Sequence, residues 1–218
     1  MSYPYPLVVF DLDGTLVDSA ADIAEALNRT LEDIGVARVP ETTVLGWIGD
    51  GVRRLVEQAL QAVGRVIDLA EVMPIFMVHY RECLLRSPRL FDGVGEALAQ
   101  LRARNVPLAI CTNKPEALVP PLLQHLGIGD VFALVLGGDS LPQRKPSGEP
   151  LRHIAAHFGL PVDACLMVGD SLTDYRAAED AGMPIALVRY GYPRGLDLAT
   201  AHAVAVIDDL RELPGLRG

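Results

Sequence analysis

Two carboxylates separated by one residue, Asp11 and Asp13, stand directly after the apolar run Leu7-Val8-Val9-Phe10. A strand that ends in two acids places charge at the edge of a sheet, and Gly14 then lets the chain turn sharply. An Asp-Gly turn accounts for Gly14 and one acid, but gives no reason for both. A second pair follows the run Cys165-Leu166-Met167-Val168, where Gly169-Asp170 leads to Asp174 at the start of a helical stretch. Ser171 and Asp174 are spaced as a capping box, so Asp174 has a structural duty available; Asp170 precedes the cap and has none. If the two strands lie close, these carboxylates converge on one spot. Each like-charged pair roughly 4 Å apart costs about 4 kcal/mol at an effective dielectric near 20. A divalent cation relieves that repulsion, and an all-oxygen set of carboxylates, waters and a phosphate selects Mg²⁺ over zinc.

Two further segments fit the same site. Thr112 and Asn113 follow a strand-like run and offer a hydroxyl and an amide as donors, although Thr112 could equally cap a helix. Lys145 follows the polar turn after Gly137-Gly138-Asp139, and its ammonium could meet both a phosphate oxygen and an attacking carboxylate. Of 19 basic residues only two are lysines, Lys114 and Lys145, and both lie in polar segments after strand-like runs. Other candidates are weaker. The histidines His153 and His157 share a helix face without acid or cysteine partners, which reads as a solvated face. The three cysteines, Cys83, Cys111 and Cys165, show no C-x-x-C spacing, and no arginine follows Cys111 where a thiolate phosphatase would need one.

The elements that must position these groups are legible as apolar runs. Leu7–Phe10, Leu108–Cys111, Val131–Leu136, Cys165–Val168, Ile185–Val188 and Val204–Ile207 are mostly continuous, which suits strands covered on both faces. Amphipathic stretches alternate with them, including Glu96–Arg104, Glu149–Phe158 and Asp174–Ala181. That alternation predicts an α/β fold, a doubly wound parallel sheet with a Rossmann-like core. From about Ala20 to Arg86 the pattern is helical instead. Val52, Leu55, Val56, Ala59, Leu60 and Val63 make one apolar helix face. The expected organisation is a core of residues 1–18 and 88–218, with a helical cap of 19–87 inserted after the first strand. Hinges are expected at Val17–Ser19 and Ser87–Gly93. Such an insertion lands at the carboxyl edge of the sheet, where open α/β sheets bind ligands.

Composition bounds the alternatives. The chain has 218 residues, half of them apolar, so disorder as the dominant state is excluded. Acids outnumber bases 28 to 19, a formal charge of −9, which disfavours nonspecific nucleic-acid binding. No apolar run approaches the roughly 18–20 residues of a membrane span. The start, Met-Ser-Tyr-Pro-Tyr-Pro, lacks the basic and apolar regions of a signal peptide. The expectation is a cytoplasmic protein, monomer or homodimer, with neither nucleic-acid nor membrane partners.

Taken in order, Asp11-x-Asp13-Gly14-Thr15, Thr112-Asn113, Lys145-Pro146 and Gly169-Asp170-x-x-x-Asp174 resemble the four motifs of the haloacid dehalogenase-like hydrolase superfamily. Within it, Gly46-Trp47-Ile48-Gly49-Asp50-Gly51-Val52-Arg53-Arg54 and Tyr190-Gly191-Tyr192 look like those of phosphoglycolate phosphatases. The resemblance implies that Asp11 attacks phosphorus to form an aspartyl-phosphate, and that Asp13 acts as general acid and then general base. It implies Mg²⁺ held by Asp11, the carbonyl of Asp13, Asp170 and, through water, Asp174. Thr112 and Lys145 then hold the transferring phosphoryl group, with Gly14, Thr15 and Asn113 as further phosphate contacts. Arg53 and Arg54 are expected to bind a substrate carboxylate, which points to 2-phosphoglycolate among small phosphorylated metabolites. The chain departs from the pattern at Asp92-Gly93, where relatives often carry Pro before Gly. It departs again at Ser147-Gly148 and at Pro120-Pro121, which interrupts an expected early helical turn.

The alternatives are a sugar-phosphate phosphatase, a β-phosphoglucomutase-like phosphotransferase and a receiver-like phospho-acceptor domain. A dehalogenase has no need of an acid at Asp13, and a Schiff-base phosphonate hydrolase needs a cap lysine that residues 20–86 lack. A receiver stores its phosphoryl group, which an acid at Asp13 would help to hydrolyse, and it needs no helical insertion.

Overall fold

A continuous apolar run becomes a strand when both of its faces are covered, and β1 (Val8–Phe10) shows how. Val8 and Phe10 join one apolar cluster while Leu7 and Val9 join another on the opposite side. The computed structural model describes residues 3–217. After β1 comes the short strand β2 (Val17–Asp18), then the helices α1 (Ala20–Asp33), α2 (Glu41–Leu45), α3 (Val52–Ala62) and α4 (Leu69–Cys83). The strand β3 (Arg89–Leu90) then returns to pair antiparallel with β2. The remainder alternates: α5 (Val94–Ala103), β4 (Leu108–Cys111), α6 (Val119–His125), β5 (Leu134–Leu136), α7 (Glu149–His157), β6 (Leu166–Gly169), α8 (Leu172–Ala181), β7 (Ile185–Val188) and β8 (Ala205–Ile207).

Six strands form one parallel sheet in the order β5-β4-β1-β6-β7-β8. The chain runs outward from β1 through β4 to β5, then returns to the other side of β1 at β6. This reversal puts the carboxyl ends of β4, β1 and β6 side by side, the position where such sheets bind ligands. Buried residues of α5 and α6 cover one face, and those of α7 and α8 cover the other. The architecture is the doubly wound, Rossmann-like sheet that the alternation implies, with a helical cap inserted after the first strand.

In the insertion, Leu55, Val56, Ala59 and Leu60 of α3 are buried, as their spacing requires, and Val63 falls just beyond the helix end. Ile23, Leu27 and Leu31 of α1 and Phe76 and Tyr80 of α4 belong to the same apolar cluster as the α5 face of the sheet. Two local expectations change, and one short strand pair has no counterpart among them. The run 131–136 forms a strand only over Leu134–Leu136, while Val131 and Phe132 pack against the core from the approach to it. The pair β2–β3 at the two ends of the insertion is too short for any period-2 pattern to reveal. Pro120 and Pro121 do not break α6; they lie in its first turn, where backbone N–H groups have no partner within the helix.

Candidate active site

Asp11 follows β1 directly and is held there by its backbone N–H, which donates to Val168 O of β6 at 2.9 Å. Its carboxylate meets the ammonium of Lys145, with Oδ1 at 2.8 Å from Nζ. The same Nζ donates to Asp174 Oδ1 at 2.6 Å. Lys145 is 2% exposed, so this cation sits in the interior between two acids. Asp11, Asp170 and Asp174 each offer an oxygen within 4.8 Å of the others'.

Asp170 is held on both oxygens. Thr15 donates its hydroxyl to Oδ1 at 2.7 Å, and the Tyr192 backbone N–H donates to Oδ2 at 2.7 Å. Gly14, at φ +94°, passes so close to this carboxylate that a Cβ would overlap it. Asp174 serves two roles at once. Its Oδ2 closes the capping box at the start of α8, accepting from Ser171 N at 3.1 Å, while Oδ1 faces Lys145.

The electrostatics follow from burial. Desolvation, then repulsion from Asp174, pushes the Asp11 carboxyl up to about 7 against the opposing pull of Lys145. Burial, Asp174 and Asp11 together hold Asp170 well above the usual carboxylate range. Burial pulls the Lys145 ammonium down, but Asp11 and Asp174 outweigh it and raise its pKa. Two of these three carboxylates, Asp11 and Asp174, share one ammonium, and the donor set of all three is entirely oxygen. That chemistry fits a hard divalent cation such as Mg²⁺. Among the described residues no other group of acids, histidines and cysteines has this geometry, and His153 and His157 lie exposed on α7. Burial pushes the Cys111 thiol up to about 12, which removes it as a thiolate nucleophile.

Asp13 turns away from this cluster toward a cavity between the sheet edge and the insertion. Its carboxylate accepts from Lys114 Nζ at 2.8 Å and from Ser19 Oγ at 2.6 Å. Asp11, Asp13, Thr112, Asn113 and Lys114 line the cavity from the sheet side, while Ile23, Ile48, Val52, Leu55 and Tyr80 close it from the helical insertion. The loop before α3 touches the sheet side at three points. Asn113 donates its amide to Gly49 O at 2.9 Å, Thr173 donates to Asp50 Oδ1 at 2.6 Å, and Arg194 donates to Asp50 Oδ2 at 2.6 Å. Burial opposes ionisation of Asp50, but Arg194 and Thr173 outweigh it and hold this carboxyl low.

A family model described as a haloacid dehalogenase-like hydrolase matches residues 5–182, from β1 through the acids beyond β6. The chain belongs to the haloacid dehalogenase-like hydrolase family. It is 42% identical over 218 residues to the plasmid phosphoglycolate phosphatase of Cupriavidus necator, covering 99% of this chain and 94% of that protein. It is 39% identical over 198 residues to the phosphoglycolate phosphatase of Colwellia psychrerythraea, with 88% of each chain covered. Among solved structures, a predicted phosphoglycolate phosphatase of Haemophilus somnus superposes with a TM-score of 0.90 at 34% identity and 96% coverage of both chains. The chain is an enzyme of this hydrolase family, and relatives spanning nearly its full length are phosphatases.

For this hydrolase the structure gathers Asp11, Asp13, Thr112, Lys145, Asp170 and Asp174 at one edge of the sheet. Three groups of sequence-selected residues have side-chain partners within the protein. The Thr15 hydroxyl donates to Asp170. The Asn113 amide joins Gly49 O to Lys145 O, tying two loops together. Arg53 and Arg54 lie outside the cavity, with side chains 62% and 48% exposed and both directed to Glu57. They sit on the solvent face at the start of α3, and the spacing that buries Leu55 and Val56 turns them away. The reading also missed two residues. Lys114 is as buried as Lys145 and pairs with Asp13, and the scarcity of lysine in the chain was the available signal. Tyr80 carries no such signal, because its i,i+4 spacing from Phe76 reads as apolar core.

Proposed function

We propose that this hydrolase is a Mg²⁺-dependent phosphomonoesterase that acts through an aspartyl-phosphate, with 2-phosphoglycolate as substrate and glycolate and phosphate as products. The observation that carries this reading is Asp11 at the floor of the cavity, with the Lys145 ammonium 2.8 Å from its Oδ1. The likeness to phosphoglycolate phosphatases over nearly the whole chain supports the substrate. The absence of a disulfide among the described cysteines, all three buried, suits the reducing cytoplasm we assign to it.

In this mechanism the free oxygen of Asp11 attacks phosphorus in line with the departing alkoxide, so a P–O bond to Asp11 forms as the ester P–O bond breaks. Asp13 gives its proton to the leaving glycolate oxygen. In the second step Asp13 takes a proton from water, the resulting hydroxide attacks phosphorus, and Asp11 leaves as a carboxylate. Lys145 keeps Asp11 aimed and, with the Thr112 hydroxyl, meets charge that grows on the transferring oxygens. Asp11, Asp170 and the carbonyl of Asp13 would hold Mg²⁺, with Asp174 behind them. When bound, Mg²⁺ neutralises charge on the phosphoryl group and polarises it toward attack.

A panel of phosphate esters assayed with and without Mg²⁺ tests this, comparing wild type with Asp11→Asn. The variant should lose at least about a thousandfold in kcat, because the nucleophile has no substitute. Activity that survives the substitution overturns the assignment of Asp11. In wild type 2-phosphoglycolate should outrun hexose phosphates, and the opposite ranking points to a sugar-phosphate phosphatase.

A further inference from the structure

Lys114 and Tyr80 are 4% and 3% exposed, and both border the cavity that contains Asp11 and Asp13. A lysine ammonium has three N–H donors. One N–H is shared by the two oxygens of Asp13, at 2.8 Å from Oδ1 and 3.2 Å from Oδ2, and another meets Tyr80 Oη at 2.6 Å, which leaves a third. Tyr80 Oη is the acceptor in that bond, so its own proton is available, and no described residue accepts it. The site therefore keeps a fixed positive charge and two uncommitted donors beside the reacting carboxylates.

We propose that Lys114 and Tyr80 together seat the second anion of the substrate, the carboxylate of 2-phosphoglycolate. The proposal rests on the reading of the function above and names the residues that select the substrate. One ammonium already shared with Asp13 suits a monoanion. A second phosphate brings about −1.5 to −2, and the neighbouring walls, Ile23, Ile48 and Val52, have no further charge to balance it. Arg53 and Arg54, the other cations of the insertion considered for this duty, stay outside on Glu57. A planar carboxylate can accept from both donors at once, one per oxygen. A neutral ester would leave those buried donors unpaired, which makes discrimination steep. Because Lys114 follows β4 and Tyr80 belongs to α4, the seat is complete only while the insertion covers the sheet edge. The residues that recognise the acid thus require the closed arrangement.

The test compares kcat/KM for 2-phosphoglycolate with kcat/KM for ethyl phosphate, which lacks the carboxylate, in wild type, Lys114→Met and Tyr80→Phe. The ratio of the two should fall about 100-fold in Lys114→Met and about 10-fold in Tyr80→Phe, the scale of lost charged and neutral hydrogen bonds. Variants that lower both esters by one common factor leave the ratio unchanged and overturn the seat, while the phosphoglycolate reading stands. A wild type without preference for 2-phosphoglycolate removes that reading and the seat with it. Circular dichroism checks folding. Should Lys114→Met fail to fold, Tyr80→Phe decides the matter, since it removes one oxygen and keeps the ring packed 5.3 Å from Phe76.

Discussion

Gly14 shows how one backbone position controls a carboxylate five strands away in sequence. Its φ of +94° is a conformation that side chains rarely adopt, and the space a Cβ needs is taken by the Asp170 carboxylate. The absent side chain lets Thr15 and the Tyr192 N–H grip both Asp170 oxygens from one side. Gly14→Ala should therefore displace Asp170 as well as strain the turn. The expected loss is about 1–3 kcal/mol of stability, read by urea denaturation, with kcat falling at least about 100-fold. Full activity in a folded Gly14→Ala variant would show that the placement of Asp170 does not matter. At this scale the sequence was informative where charge and strand ends coincide, as at Asp11, Asp13, Asp170 and Lys145. It was silent where a residue's meaning depends on a distant neighbour. Nothing local to Thr15 says that its hydroxyl faces Asp170, and nothing local to Tyr80 says that it meets Lys114.

The loop that precedes α3 joins the insertion to the sheet through side chains whose partners come from three different elements. Asp50 accepts from Thr173 at the start of α8 and from Arg194 beyond β7, while Gly49 O accepts from Asn113 beyond β4. Both Asp50 bonds are partly buried and charge-assisted, so together they are worth about 3 kcal/mol toward closure. Asp50→Ala removes both without touching the cavity wall. KM for the preferred ester should rise about 10-fold or more, and limited proteolysis should cut the insertion faster than in wild type. An unchanged KM and unchanged protease resistance would mean that these bonds do not hold the loop. The long helices and parallel strands of this arrangement were legible, because each repeats its pattern over enough residues to be seen. The pair β2–β3, only two residues per strand, was not. Its existence follows from the two ends of the insertion meeting, with Val17 opposite Leu90, and only the folded chain brings them together.

For the molecule as a whole, the reversal of strand order at β1 concentrates three buried acids, two of them paired with one lysine, and this has a consequence for stability. The folded chain pushes the Asp11 carboxyl up to about 7, against 3.8 for an ordinary aspartate, and shifts Asp170 in the same direction. The folded state therefore keeps a proton that the unfolded chain releases. The stabilisation from Asp11 is full below about pH 4 and is lost as pH rises toward 7, at about 1.4 kcal/mol per pH unit for one proton. A cation that takes the carboxylates as anions opposes this dependence, so its stabilising effect must grow with pH. Thermal melts in EDTA should show Tm falling by roughly 3–5 °C per pH unit between pH 5 and 7. With millimolar Mg²⁺ the fall should be smaller, and the gap between the two curves should widen with pH. Asp11→Asn removes a titrating group and one repulsion, so its melt in EDTA should depend less on pH than that of wild type. A gap that narrows as pH rises would mean that Mg²⁺ does not bind the ionised cluster, and the placement of the metal on Asp11 and Asp170 would have to be abandoned.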